Sequence, residues 1–193
     1  MPKIDTNLIP NGQKGNRLFA SIPSLDFNLR EHLLRFCNSY ERLPAILKTF
    51  RDFKKKRKTA EWFRILGEEW SSCDNVGLYA KKIKSIFSAN QRHWVQMMNE
   101  KEHKLYHALP KKIVLYRGAG EKNLLGLSWS LSKRIASRFP FYGRYTQKIP
   151  LLVMAEIYRS RVVCVKLNRS EREIIALVEK DSVLEIRPLK PAK

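Results

Sequence analysis

The hydrophobic periodicity of this chain changes at Pro110, and that change limits the folds available to it. Before Pro110, apolar residues recur at helical spacing, as in the run Trp62, Phe63, Ile65, Leu66 and Trp70. After Pro110, short apolar and β-branched runs are separated by turn residues, a pattern typical of strands. We therefore predict an α+β protein in which a mostly helical N-terminal half packs on a β-rich C-terminal half.

The predicted elements fill most of the chain after an irregular N-terminal arm over residues 1–24. Helices are expected after Asp26, after Pro44, over 61–70, from an N-cap at Asp74, and over 91–107. Strands are expected over 113–116, 124–130, 151–158, 161–167, 173–178 and 183–187, interrupted by a helix capped by Ser132. No flexible linker follows Pro110, so we predict one domain over 1–193, in which helical residues 1–110 wrap a β core over 111–193.

The charge of the chain is extreme, because 38 Lys and Arg stand against 18 Asp and Glu for a net charge of +20. Such a balance favours a polyanionic partner, of which nucleic acid is the commonest. Residues 51–58 contain six basic residues in eight positions. A solvated helix face and a nucleic-acid contact both account for that run.

Other features bound the class of protein. No stretch approaches the roughly 20 apolar residues that span a bilayer, and the first 30 residues lack a signal-peptide pattern. We therefore expect a cytoplasmic protein with no membrane partner. Cys37, Cys73 and Cys164 are far apart and form no CxxC pair, so they predict reduced thiols. His103 and His107 lack a ligand pattern around them, and no metal site is predicted.

Three short motifs within 113–178 carry polar groups at strand ends. Arg117 and Gly118 end the first strand, Ser128 and Ser130 flank Trp129, and Glu171 and Glu173 lead into an apolar run. A guanidinium suits a phosphate, and Gly118 lets backbone approach a ligand. Residues two apart on a strand point to the same side, so the two serines can contact one substrate together, and so can the two carboxylates. Taken singly, each motif has an ordinary alternative: a salt bridge, a self-satisfied hydroxyl or a solvent-facing carboxylate.

In order and spacing, the three motifs resemble the ADP-ribosyltransferase family, in the branch with an Arg, Ser-Thr-Ser and Glu-x-Glu triad. Many members of that branch are toxins. The resemblance covers about residues 113–178, and it departs from the family at Trp129, where threonine is usual. It implies an ADP-ribosyltransferase-like mixed β core of two small sheets that binds NAD as substrate.

The resemblance also implies roles for individual residues. Arg117 would bind the nicotinamide-side ribose and phosphate of NAD, and the Gly118 backbone would clasp the nicotinamide amide. Ser128 would hold the ribose and position Glu173, with Ser130 also at the NAD site. Glu173 would stabilise the oxocarbenium as nicotinamide leaves, and Glu171 would orient or deprotonate the acceptor. An aromatic residue of the loop 141–145 would stack on NAD.

These expectations lead to a mono-ADP-ribosyltransferase acting on a macromolecule. The net charge favours RNA or DNA as acceptor, whereas the Glu-x-Glu spacing resembles arginine-directed members and favours protein. A toxin of a bacterial or phage conflict system, neutralised by an antitoxin protein, fits the family. A non-catalytic nucleic-acid-binding module and an NAD glycohydrolase remain the alternatives.

Overall fold

The computed structural model describes Leu34 and residues 36–167 and 172–190. The chain divides into two compact units, Met1–Val76 and Gly77–Lys193. The expected N-terminal arm, the helix after Asp26 and Glu171 lie outside the described residues. The expectation of a single domain with an internal boundary at Pro110 stays a prediction.

In the described part of the first unit there are two α-helices, α1 (Ser39–Lys55) and α2 (Thr59–Glu69). Asn38 caps α1, because its side chain accepts from the Tyr40 and Glu41 backbone N–H groups, and the Glu41 carboxylate accepts from the Asn38 backbone N–H. The residues after Pro44 are helical as predicted, but the predicted start is wrong. Pro44 lies inside α1, where it removes one backbone hydrogen bond without ending a helix that buries one full face.

Aromatic side chains form much of the core of the first unit. Trp62 and Phe63 are fully buried, and the Trp62 indole donates to the Ile46 carbonyl at 3.0 Å. The ring centroids of Phe50 and Trp62 lie 4.7 Å apart in an edge-to-face arrangement. The prediction that the aromatic run on α2 faces the core is confirmed.

The second unit begins with two helices, α3 (Ala80–Ser88) and α4 (Glu100–Ala108). Asp74 was expected to cap a helix, but a 3-10 turn over Val76–Tyr79 precedes α3, and Tyr79 occupies the N-cap position of α3. The single helix expected over 91–107 is also wrong. Asn99 caps α4 through a capping box with Glu102, so a 3-10 helix over Gln91–Met97 and α4 form two separate elements.

The sheet of the second unit has six antiparallel strands in the order β4-β5-β2-β1-β3-β6. Their bounds lie within a few residues of the predicted ones, except that β2 is much shorter. The strands are β1 (Lys112–Ala119), β2 (Ser128–Ser130), β3 (Leu151–Tyr158), β4 (Val162–Lys166), β5 (Glu173–Ala176) and β6 (Val183–Pro188). A short helix, α5 (Lys133–Arg138), follows β2 and is capped by Ser132 as predicted.

The α+β class is confirmed, but the expected division into two small sheets is not. The short strand β2 bonds to neighbours on both sides, which joins all six strands into one sheet. Its attachment is unequal, since β2 pairs with β5 at three positions and with β1 only through Tyr116 and Ser130. The weakest junction in the sheet therefore lies between β1 and β2.

Candidate active site

The three motif-bearing strands, β1, β2 and β5, are neighbours in the sheet. Ser130 pairs with Glu173 across β2 and β5, and Ser130 pairs with Tyr116 across β2 and β1. Directly opposite residues in antiparallel strands point to the same side of the sheet. Tyr116, Ser130 and Glu173 thus form one row across the centre of the sheet.

Ser128 lies two residues from Ser130, on the same side of β2, and its opposite residue on β5 is Ile175. Trp129 points to the other side, where it is buried among core residues, and its indole N–H donates to the Gly126 carbonyl at 2.9 Å. The expectation that Trp129 faces away from the serines is confirmed.

The Ser130 hydroxyl is fixed by the turn that follows β2. Its oxygen accepts from the Ser132 backbone N–H at 3.0 Å, and the Ser132 hydroxyl in turn accepts from the Ile135 N–H at 3.3 Å. A serine hydroxyl that accepts one bond still carries its own hydrogen for donation. Ser130 is therefore oriented by backbone while keeping a donor for a carboxylate or a ligand hydroxyl.

Arg117 is half-buried, and its guanidinium organises the β1–β2 connection. Its Nε donates to the Asn123 carbonyl at 3.2 Å and its Nη1 donates to the Ser128 carbonyl at 2.5 Å. A Cβ on Gly126 would overlap this guanidinium, so the absence of a side chain there makes room for it. Within the described residues, these bonds use two of the five guanidinium N–H groups.

Arg117 and Glu173 belong to opposite sides of the sheet by strand register. Regular pairing of β1 with β3 gives Arg117 the direction of Leu115 and Ala119, whereas Glu173 shares the direction of Ser130. Arg117 reaches β2 at the end of the single β1–β2 pair, where it bonds the Ser128 backbone. The strand register thus gives Arg117 and Glu173, which were expected to form one site, opposite faces of the sheet.

The electrostatics still couple these two groups. Burial lowers the pKa of Arg117 to about 10, and attraction to the Glu173 carboxylate partly offsets that decrease. A guanidinium with this pKa remains charged at neutral pH. Arg117 therefore presents a partly desolvated positive charge close enough to Glu173 for the two charges to interact.

Gly118 has a packing reason for its lack of a side chain. A Cβ at this position would overlap the Ala136 carbonyl oxygen and approach Pro140 Cδ to 2.5 Å. The glycine lets α5 and the following turn lie directly on β1. Its predicted contact with the nicotinamide amide stays a prediction.

A buried ion pair lies beside the candidate site, and sequence reasoning missed it. The pair is Lys166 with Glu102: Lys166 Nζ donates to the Glu102 carboxylate at 3.0 Å and to the Met97 carbonyl at 2.8 Å. Lys166 lies on β4, directly opposite Glu173 on β5 in the strand register. Glu102 is fully buried and also accepts from the Leu167 N–H at 3.0 Å. Two signals were available: a lone lysine in the apolar run 162–167, and the capping-box spacing from Asn99 to Glu102.

Lys84 on α3 was also missed. Its Nζ donates to the Leu125 carbonyl at 2.9 Å, in the same β1–β2 connection that Arg117 organises. Desolvation lowers the pKa of Lys84, and repulsion from Arg117 lowers it further. The connection 120–127 therefore has two neighbouring positive charges bonded to its carbonyl groups, although no sequence motif marks Lys84.

The aromatic loop after α5 contains one exposed ring. Tyr142 is 53% exposed, whereas Phe139 and Tyr145 pack together with ring centroids 5.0 Å apart. Tyr142 is therefore the aromatic of this loop that is available to a ligand. Glu171, the second carboxylate of the motif, lies outside the described residues, and its role stays a prediction.

Comparisons with protein families, with characterised proteins and with solved structures yielded no match. Across the stretches of chain that the structure describes, no helix is long and apolar enough to cross a membrane. Those same residues contain no cluster of three or more His, Cys, Asp or Glu side chains that could hold a metal ion.

Proposed function

We propose that this chain is a mono-ADP-ribosyltransferase that transfers ADP-ribose from NAD to a macromolecular acceptor. The observation that carries the proposal is the adjacency of β1, β2 and β5. Ser130 and Glu173 are far apart in sequence, yet they are directly opposite residues, and the Arg117 guanidinium bonds the Ser128 backbone on the neighbouring strand. The hydroxyl of one motif and the carboxylate of another therefore share one face of the sheet, beside the strand that carries Arg117.

The chemistry assigned to these residues follows from charge. The bond between ribose C1′ and the nicotinamide nitrogen breaks, its electron pair goes to that nitrogen, and the ribose becomes oxocarbenium-like. The Glu173 carboxylate stabilises this positive charge, and an oriented Ser130 hydroxyl helps to position the carboxylate. The acceptor nucleophile then bonds to C1′ and loses a proton, which Glu171 would take.

The groups around the junction fit an anionic dinucleotide. Against the described residues, Arg117 keeps three N–H donors beyond its two carbonyl bonds, and Lys84 adds a second positive charge to the same connection. Arg117 and Ser128 would bind the ribose and phosphate of NAD, with the Gly118 backbone on the nicotinamide amide. Tyr142 is the loop aromatic that would stack on NAD, because its ring is exposed.

The net charge of +20 favours RNA or DNA as the acceptor. A protein arginine is the alternative acceptor, favoured by the spacing of Glu171 and Glu173. In the cell, the chain would be a cytoplasmic toxin of a bacterial or phage conflict system, held inactive by an antitoxin protein. A non-catalytic nucleic-acid-binding module is the rival function, and the same net charge favours it.

The test is an incubation of the purified protein with NAD labelled on the adenylate phosphate and with cell lysate. Portions are then treated with nuclease or with protease, and nicotinamide release is measured in parallel. Label lost to nuclease supports a nucleic-acid acceptor, and label lost to protease supports a protein acceptor. Nicotinamide release without label indicates an NAD glycohydrolase.

The matched variants are Glu173→Gln and Glu185→Gln. Glu185 is exposed on the edge strand β6, about 20 Å across the sheet from β5, and receives the same chemical change. We expect Glu173→Gln to reduce transfer by about 100-fold or more and Glu185→Gln to leave it unchanged. Folded wild-type protein that neither labels a macromolecule nor releases nicotinamide would rule out the transferase and favour the rival module.

A further inference from the structure

Helix α1 presents a stripe of positive charge along one side. Lys48, Arg51 and Lys55 are all exposed and follow one another at i, i+3 and i+7. That spacing places them on one face, over about 10 Å of helix. The opposite face is buried in the core of its own unit through Leu43, Ile46, Leu47 and Phe53.

The stripe continues into the turn after the helix. Lys56, Arg57 and Lys58 are exposed there, as is Lys54 in the last turn of α1, and Arg57 has a φ of 57°, so the backbone changes direction. Lys58 forms a 3.3 Å ion pair with Glu61. Among the described residues, Arg51, Lys54 and Lys55 form no ion pair.

The helix dipole accounts for only some of this charge. Cations in the last turn stabilise a helix, and Lys54 and Lys55 occupy that turn. The effect fades within one turn, so it gives no reason for Lys48 and Arg51. The repulsion between these neighbouring cations destabilises the helix, and a partner that carries negative charge would offset it.

An exposed aromatic ring lies on the same side of α1. Tyr40 is 50% exposed and precedes Arg51 by eleven residues, which is close to three helical turns. We use the name basic face for Tyr40, Lys48, Arg51 and Lys55 together with the cluster 54–58. Measured along the helix axis, Tyr40 and Lys55 are about 22 Å apart.

We propose that the basic face binds a single-stranded nucleic acid, with its cations on the phosphates and Tyr40 stacked on a base. A positively charged track with an aromatic platform is the usual construction of a single-strand site. A membrane surface fits less well, because interfacial helices expose an apolar face and that of α1 is buried. RNA and DNA share the chemistry that the face recognises. This binding needs neither NAD nor Glu173, so it stands independently of the transferase proposal.

The test is fluorescence anisotropy, without NAD, with labelled 20-nucleotide oligouridine, oligothymidine and a DNA duplex. Co-sedimentation with anionic phospholipid vesicles is measured beside it. The first variant is Lys48→Glu/Arg51→Glu/Lys55→Glu. Its control is Lys81→Glu/Lys101→Glu/Lys111→Glu, which changes three exposed lysines of the other unit and alters the net charge equally. A milder triple change to Gln on the basic face guards against misfolding, and circular dichroism checks every variant.

We expect wild-type protein to bind the single strands and the basic-face triple to bind them at least about tenfold more weakly than the control triple does. The slope of log Kd against log salt should fall by about two for the basic-face triple, since three phosphate contacts are lost. Tyr40→Ala should weaken single-strand binding about tenfold, and Tyr40→Phe should not. The relative affinity for oligouridine and oligothymidine identifies RNA or DNA as the preferred strand.

Three results would overturn the proposal. The first is wild-type protein that binds no oligonucleotide at low salt, or that binds only anionic phospholipid vesicles. The second is an equal loss of binding in the two charge-reversed triples, which would make the attraction a property of the whole surface. The third is equal affinity for single strands and duplex with no effect of Tyr40→Ala.

Discussion

Ser130 on β2 and Glu173 on β5 are directly opposite residues of an antiparallel pair. Their Cβ atoms should therefore lie about 5 Å apart, within reach of a hydroxyl-to-carboxylate hydrogen bond. Ser128, to which the family resemblance gives the task of positioning Glu173, is a diagonal neighbour and sits opposite Ile175. The strand register thus favours Ser130 for this task.

The two serines can be separated by single substitutions. We expect Ser130→Ala to lower kcat for nicotinamide release about tenfold with little change in KM, because it loosens the carboxylate that acts on the transition state. Ser128→Ala should act mainly on KM, since its assigned contact is with the bound ribose. Steady-state kinetics at several NAD concentrations measure both. The reverse pattern would return the positioning role to Ser128.

The buried pair of Glu102 and Lys166 should be coupled in stability. Glu102→Gln leaves the Lys166 ammonium buried without a carboxylate, which should cost about 3–5 kcal/mol in the free energy of unfolding. The double variant Glu102→Gln/Lys166→Met removes the stranded charge and should recover most of that loss. Urea denaturation of the wild type, both single variants and the double variant measures the coupling. Additive single effects would contradict it.

The predictability of this chain from sequence differs between strands and helices. Strands β1, β3, β4, β5 and β6 were predicted within a few residues because their apolar runs are bounded by turns. The helices of the first half were predicted less accurately. A capping box at Asn38 starts α1 before Pro44, and a second capping box at Asn99 starts α4 inside a stretch whose periodicity predicts one helix. The capping residues thus set the helix starts, against the proline signal at Pro44 and against the apolar periodicity over 91–107.

Site residues could be predicted only where a reactive or charged side chain stands at the end of a predicted strand. Arg117, Ser130 and Glu173 stand at strand ends in the sequence, so their types and spacing could be read directly. Lys84 and Lys166 act through contacts distant in sequence, with Leu125 and with Glu102, and pairing of that kind depends on tertiary packing. The split of the site between the two sides of the sheet depends on register, which the short β2 does not reveal.

Gly118 should tolerate no side chain. An added Cβ meets the Ala136 carbonyl and the Pro140 ring, neither of which is the flexible end of a side chain, so Gly118→Ala should destabilise the protein by about 1–3 kcal/mol. Gly77→Ala is the matched control, because a Cβ there has no neighbour within 4 Å. Denaturant unfolding of both variants provides the comparison. Equal stability of the two would show that α5 does not press on β1.

The cysteines of the first unit should make stability depend on alkaline pH. Burial raises the pKa of Cys37 to about 11 and that of Cys73 to about 12, from an ordinary value near 9.0. Between these values the unfolded chain ionises its thiols while the folded unit keeps them neutral, so the unfolded state binds fewer protons and stability falls as pH rises. The contribution is complete below pH 9 and is lost as the pH passes about 11 to 12. For Cys37 the shift corresponds to roughly 3 kcal/mol.

The measurement is the free energy of unfolding from pH 8 to pH 11, compared between the wild type and Cys37→Ala/Cys73→Ala. Lysines and tyrosines titrate in both proteins, so the difference between the two curves isolates the thiols. We expect the wild type to lose more stability than the variant over this interval, whatever their difference at pH 8. Iodoacetamide at pH 8 gives an independent check, because protonated buried thiols should react only after denaturation. Parallel pH curves together with rapid native alkylation would show that Cys37 and Cys73 are accessible thiols of ordinary acidity.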